Sequence, residues 1–295
     1  MPTHLGFKPT DEQAAFILAW YELDDEGEVL YRRAVLEMAK GWGKSPLAAA
    51  IALAEFAGPT VFAGTYHPNG DPEGIRPRKP WIQIAAVSED QAENTYGAIY
   101  ELLTDNDQQA AKALGIDDGR TRLYVRGDPG SKLVSVTASA GSREGQRVRF
   151  AVLDETHLWT KSNGGHKLAR TIRRNAAKMG GRTLETTNAP VLGEKSVAEA
   201  SDPYRPDPGV LHYARRPEKE PDPSWSDERL LETLQEVYGD AKWVGLPRLV
   251  DEMRDPATPW DDVLRFYFNI RSAGHGRAVD PRAWDALAAP RDAVG

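Results

Sequence analysis

Cysteine is absent from the 295 residues, which excludes disulfides, thiol nucleophiles and every cysteine-ligated zinc or iron–sulfur site. Histidine is scarce. The six at positions 4, 67, 157, 166, 212 and 275 show no HxH or HxxxH pairing, so no histidine-built metal site is expected. Long hydrophobic runs are also missing: the most apolar helical stretch, 47–57 (LAAAIALAEFA), carries Glu55 and falls short of the ~18 residues that cross a bilayer. No membrane span is expected. The opening MPTHLGFKPTDEQ lacks a basic segment leading into an apolar one, so no secretory signal is read and a cytoplasmic compartment is the expectation. Positive charge is not in excess, since 37 Lys+Arg against 44 Asp+Glu give −7, which argues against a small, uniformly basic DNA-coating protein. What remains is ordinary for a folded chain: 40% hydrophobic, 8% aromatic and 27% charged residues, enough for one large domain or two smaller ones.

Proline and glycine mark two breaks. The stretch 64–80 (GTYHPNGDPEGIRPRKP) reads as a long surface loop, and DPYRPDP at 202–208 ends the main domain, placed at 1–204. Between the breaks, apolar runs alternate with helical patterns. AVLEMA (34–39), IQIAAVS (82–88), RFAVLDE (149–155) and RTLETT (182–187) read as strands. A helix is expected near Pro46, a second opened by Ser88 with EDQ behind it in a capping-box arrangement, and a third over 166–179. The succession predicts an α/β domain with a largely parallel sheet. Beyond the second break, 227–238, 247–255 and 259–270 look helical, so 205–271 is expected to form a small, mainly helical appendage, with 272–295 as a linker. No acidic residue falls between 156 and 184, where Lys161, Lys167, Arg170, Arg173, Arg174, Lys178 and Arg182 form a block able to face phosphates or simply to be a solvated helix face.

The sharpest local signal is Lys40-Gly41-Trp42-Gly43-Lys44-Ser45 between a strand and a helix. Glycines let backbone N–H groups curl round phosphates, a lysine reaches the β and γ phosphates, and a hydroxyl holds Mg²⁺. The GxxxxGK[ST] pattern fails at Met38, where it wants glycine, and an ordinary βα turn is the plain alternative. The second element is FAVLDE: carboxylates at the C-terminal end of a buried parallel strand project into the crevice where open α/β sheets bind ligands. Asp154 is then placed to hold Mg²⁺ and Glu155 to orient or deprotonate water. The strand RTLETT, running into Asn188-Ala189-Pro190, offers a Thr–Asn pair at a strand end. Just before the DE strand, a glycine-flanked loop presents Arg143 and Arg147, suited to stabilising phosphoryl-transfer charge or simply solvated.

Taken in order, these elements resemble the ATPase domain of a tailed-bacteriophage large terminase, the motor that drives DNA into a procapsid. The resemblance rests on KGWGKS (40–45), GSREGQR (141–147) running into VLDETHLW (152–159), and TTNAP (186–190), and spans most of the chain. In that family the first glycine of the phosphate loop is often replaced. The resemblance implies an ASCE-type P-loop NTPase fold with a lid subdomain at 205–271, ATP and Mg²⁺ as ligands, and Mg²⁺ on Ser45 and Asp154. It implies catalysis by Glu155, Lys44 and Arg143, the last acting on a neighbour's ATP, with the nucleotide contacted by Gln13, Lys40, Gly41, Trp42, Gly43, Lys44, Ser45, Thr187 and Asn188. Gln13 would read adenine; Thr187 and Asn188 would match the coupling motif. The implied partners are double-stranded DNA bound without sequence preference, a homo-oligomeric ring on the portal protein, and the small terminase subunit, in the cytoplasm of an infected bacterium. Family members continue into a two-metal nuclease domain, so 272–295 is expected to lead towards one and no DNA cleavage is expected from these residues.

Two other readings compete. A P-loop kinase usually lacks the adjacent catalytic Glu155 and needs an acceptor pocket. A nucleotide switch of the ParA/MinD kind has KGGxGK[ST], whose lysines are five positions apart where Lys40 and Lys44 are four apart.

Overall fold

The computed structural model describes residues 6–119, 122–138, 144–201 and 207–272. In chain order the described elements are α1 (Asp11–Trp20), β1 (Arg33–Glu37), α2 (Lys44–Ala57), β2 (Val61–Tyr66), β3 (Pro72–Ile75), β4 (Trp81–Ala86), α3 (Glu89–Leu114) and β5 (Ile116–Asp118). They continue as β6 (Arg122–Val125), β7 (Asp128–Thr137), β8 (Phe150–Leu153), α4 (Gly165–Lys178), β9 (Arg182–Thr187), α5 (Val197–Ala200), β10 (Val210–Ala214), α6 (Asp227–Tyr238), α7 (Leu246–Met253) and α8 (Trp260–Phe266).

Eight strands form one sheet in the order β10-β1-β9-β8-β4-β7-β6-β5. The run from β10 to β7 is parallel, and β6 turns antiparallel to both its neighbours. β8 is wholly buried and apolar and β1 is buried from Ala34 to Glu37, as strands covered on both faces must be, with the Glu37 carboxylate paired to Arg216 and Arg271. β9 is equally buried yet reads RTLETT, so its polar side chains require internal partners.

One face of the sheet carries α1, α2, α3 and the C-terminal helices in a continuous core. At its centre, every residue of α2 from Leu47 to Ala57 is buried. A helix apolar all round is stable only when enclosed, and its alanines let the sheet and α3 approach closely. The other face is covered by α4, whose Leu168, Ala169 and Ile172 pack on Ala151 and Leu153 of β8.

Several expectations are revised. The stretch 64–80 is no plain loop: β2 and β3 pair antiparallel into a hairpin outside the main sheet. The segment 205–271 contains the three expected helices but opens with β10, which pairs in register with β1, so the boundary at 204 falls just before a strand of the central sheet. β10 escaped notice because VLHYA is short and sits beside the proline-rich break. Ser88 caps α3 by accepting the N–H of Gln91, half of the expected capping box. Residues 273–295, expected to form a linker, lie outside the described residues.

Candidate nucleotide site

Parallel strands in register end together, and this brings the sequence motifs to one edge. Glu37 at the end of β1 is level with Thr187 of β9, and Leu153 of β8 with Glu185. The segment 38–45 therefore leaves β1 beside the carboxylates that follow β8. β9 lies between the two strands.

Gly41 and Gly43 have φ of +87° and +99°, the left-handed region that glycine enters without steric penalty. α2 begins at Lys44, two residues earlier than the sequence suggested, so the N–H groups of Lys44 and Ser45 belong to its open first turn. Pro46 follows, without an N–H to satisfy. The Lys44 ammonium donates to the carbonyls of Met38 at 2.7 Å and Ala39 at 3.0 Å. Burial lowers its pKa to about 8, against the opposing pull of Asp154 and Glu155. Trp42 turns its side chain into the core, with the indole N–H donated to Glu12 Oε2 at 3.3 Å, so only its backbone is left to face a ligand of the loop. Lys40 is exposed, and its backbone is pinned from the C-terminal region, its N–H to Phe266 O at 2.7 Å and its carbonyl accepting from the Tyr238 hydroxyl at 2.7 Å.

Asp154 is 2% exposed and accepts from the hydroxyls of Thr186 and Thr95, one on each oxygen. Burial raises its pKa although both hydroxyls oppose the shift. Each oxygen keeps a lone pair, so a buried carboxylate short of neutralising charge fits a hard cation, and Mg²⁺ needs only one or two protein ligands beside phosphate oxygens. Glu155 stands at φ +53°, an uncommon conformation for a non-glycine residue, and its pKa is raised by burial and then by Asp154.

Thr187 and Asn188 join the two motif strands. The Asn188 amide donates to Met38 O at 2.9 Å, and Met38 N–H to Thr187 O at 3.1 Å. Thr187 Oγ1 accepts from the N–H of His157 at 3.1 Å, and His157 Nδ1 accepts from the N–H of Asn188 at 3.3 Å. Burial, with Arg265 adding to it, depresses the His157 pKa to about 3, so the ring is neutral. Gln13 is also brought in. Its amide forms a capping box with Thr10 at the start of α1, and its Nε2 stands 2.9 Å from where a Cβ on Gly43 would lie.

Arg143 lies outside the described residues; Arg147, the other arginine of that loop, is exposed. The basic block divides. Arg182 is buried against Glu55 and the Trp20 carbonyl, and Arg173 binds the buried Glu185, so neither is available to phosphates. Lys161, Lys167, Arg170, Arg174 and Lys178 stay exposed, with Arg174 paired to Glu144. Sequence reasoning gave no role to Thr95, Thr186 or His157. Thr95 has no local signal, whereas His157, three residues beyond Asp154 inside an apolar motif, could have been marked as a candidate buried histidine.

Comparison with solved structures decides the architecture. The HK97 bacteriophage large terminase superposes with a TM-score of 0.64 at 18% identity, over 90% of this chain and 51% of that one. The chain has the fold of a large-terminase ATPase domain. The Thermus phage P74-26 large terminase ATPase domain gives a TM-score of 0.53 at 16% identity, over 90% of this chain and 95% of that one. In sequence, the chain is 33% identical to the Gene 13 protein of Mycobacterium phage L5 over 95% of its length, and 30% identical to that of Mycobacterium phage D29 over 97%. It spans about half of each of these relatives, 51% and 52%. No family model matches the chain. Within this fold, the glycine-containing segment 40–45, the carboxylates that follow β8 and the Thr187–Asn188 end of β9 lie beside one another.

Proposed function

We propose that this chain hydrolyses ATP as the ATPase part of a large terminase, powering movement of double-stranded DNA into a viral procapsid. The observation that carries the reading is the convergence of Lys44, Asp154 and Glu155 at one strand edge, with Asn188 hydrogen-bonded to the loop strand. The terminase ATPase fold supports the reading of that edge, and the similarity to the Gene 13 proteins of two mycobacteriophages supports a phage setting.

In this reading the N–H groups of 41–45 cradle the phosphates, Lys44 turns from the Met38 and Ala39 carbonyls to the β and γ phosphates, and Gln13 reads adenine. Ser45 and Asp154 would hold Mg²⁺, which would supply positive charge to the phosphate oxygens. Glu155, its pKa raised towards the working range of a general base, orients and deprotonates the attacking water. Arg143 is proposed to complete the site of a neighbouring copy in a ring on the portal, with the small terminase subunit as a further partner. Thr187 and Asn188 report the state of the nucleotide to β1, because they touch both the DE turn and the loop strand.

The test is steady-state ATP hydrolysis over a wide protein concentration range with Glu155→Ala alongside. Activity per subunit is expected to rise with concentration and vanish in the variant. Absence of ATP binding in the wild type, or undiminished turnover in the variant, would overturn the reading.

A further inference from the structure

Trp243 is alone among the described tryptophans in being exposed, at 56%. Single exposed apolar side chains are ordinary; what marks this indole is that it is anchored on the glycine loop and carries a π-face that a base can stack on. It is held rigidly. The indole N–H donates to Gly41 O at 2.9 Å, and Cζ2, on the ring's edge, stands 3.0 Å from where a Cβ on Gly43 would lie. Neighbouring residues fix the segment that carries it: the Tyr238 hydroxyl donates to Lys40 O at 2.7 Å, and Asp240 Oδ2 accepts from Glu12 N–H at 2.9 Å. The contacts to the loop run through the ring's edge, and more than half of the residue stays open to solvent. The Gln13 amide, 2.9 Å from the same Gly43 position, stands alongside.

We infer that Trp243 is a base-stacking residue of the nucleotide site, offering an aromatic face to a purine while Gln13 meets the polar edge of the ring. The inference rests on the ATP site proposed above and adds to it the C-terminal region as a supplier of affinity. Glycine at 43 is then required twice, once for its φ and once because a side chain there would drive Gln13 and Trp243 apart. Every base has a π-face, so stacking supplies affinity, and the amide beside it discriminates.

The test separates base from phosphate by comparing ATP with inorganic tripolyphosphate, each titrated into wild type, Trp243→Ala and Trp243→Phe. Trp243→Ala is expected to weaken ATP binding by about tenfold or more and leave tripolyphosphate binding unchanged. Trp243→Phe, which keeps a ring but no N–H, is expected to retain most of the ATP affinity. ATP should quench tryptophan emission in the wild type and not in Trp243→Phe. If Trp243→Ala binds ATP as the wild type does, or loses ATP and tripolyphosphate equally, the stacking role is overturned and Trp243 is at most a brace for the loop. Wild type that binds neither ligand would overturn the ATP site itself, and the inference with it.

Discussion

Lys44 is a partly buried lysine whose ammonium is held by two backbone carbonyls, an arrangement that keeps a cation ready for a stronger anion. With its pKa near 8 it is largely charged at neutral pH and loses its charge as the pH rises past that value. Bound phosphates favour the charged form, so ATP affinity should be full below pH 8 and fall above it, approaching tenfold per unit where the bound lysine keeps its proton. Dissociation constants between pH 7 and 9.5 check this, and a flat profile would mean that Lys44 does not reach the phosphates. His157 gives the opposite sign. Folded, it stays neutral down to about pH 3; unfolded, it takes up a proton near 6.5. The unfolded state thus binds more protons in that window, and stability falls as the pH drops below 6.5, by about 1.4 kcal/mol per unit from this group. His157→Gln should therefore lose about 2 kcal/mol less than the wild type between pH 7 and 5, read from urea unfolding. Equal losses would show that the histidine is hydrated or already charged in the native protein.

At the scale of elements, β9 and α2 are joined by a buried pair. Glu55, the one acidic residue of an otherwise apolar helix, binds Arg182 at 2.8 Å, and Tyr21 donates to the same carboxylate at 3.1 Å. Removing one member strands a buried charge, so Glu55→Ala should destabilise by about 3–5 kcal/mol, with Glu55→Gln milder because it keeps a hydrogen-bonding oxygen. Thermal or urea unfolding measures both, and a loss below 1 kcal/mol would mean that water reaches Arg182. The same pair shows what sequence can disclose. Alternation of apolar runs and helices placed β1, β8, β9 and α2 to within a few residues, because local period and burial agree there. Glu55 and Arg182 were visible only as a charge in a helix and a member of a basic block, since their pairing spans 127 residues of chain. Thr95 on Asp154 was hidden for the same reason, at a separation of 59. β10 and the β2–β3 hairpin were lost to turn-rich composition, which marks breaks but does not say whether a short strand lies within one.

For the whole molecule, the sheet separates chemistry from a candidate grip. The nucleotide motifs gather at the C-terminal edge of β1, β8 and β9, whereas α4 covers the face opposite α2. After Arg173 and Arg182 are committed to the interior, α4 still presents Lys167, Arg170, Arg174 and Lys178, spaced by three and four residues and so sharing one side of the helix. Glu144 neutralises only Arg174 among them. A motor that moves DNA irrespective of its sequence must hold phosphates rather than bases, so affinity should drop steeply with salt, each phosphate contact adding about −0.9 to the slope of log K against log salt. The triple variant Lys167→Ala, Arg170→Ala, Lys178→Ala should lower that slope by about 2–3 in magnitude on any duplex, without altering ATP binding, since none of the three contacts Lys44, Asp154 or Glu155. Filter binding or fluorescence anisotropy at several salt concentrations decides it. A slope unchanged in the variant would leave α4 a solvated helix face and remove the support for a DNA contact there.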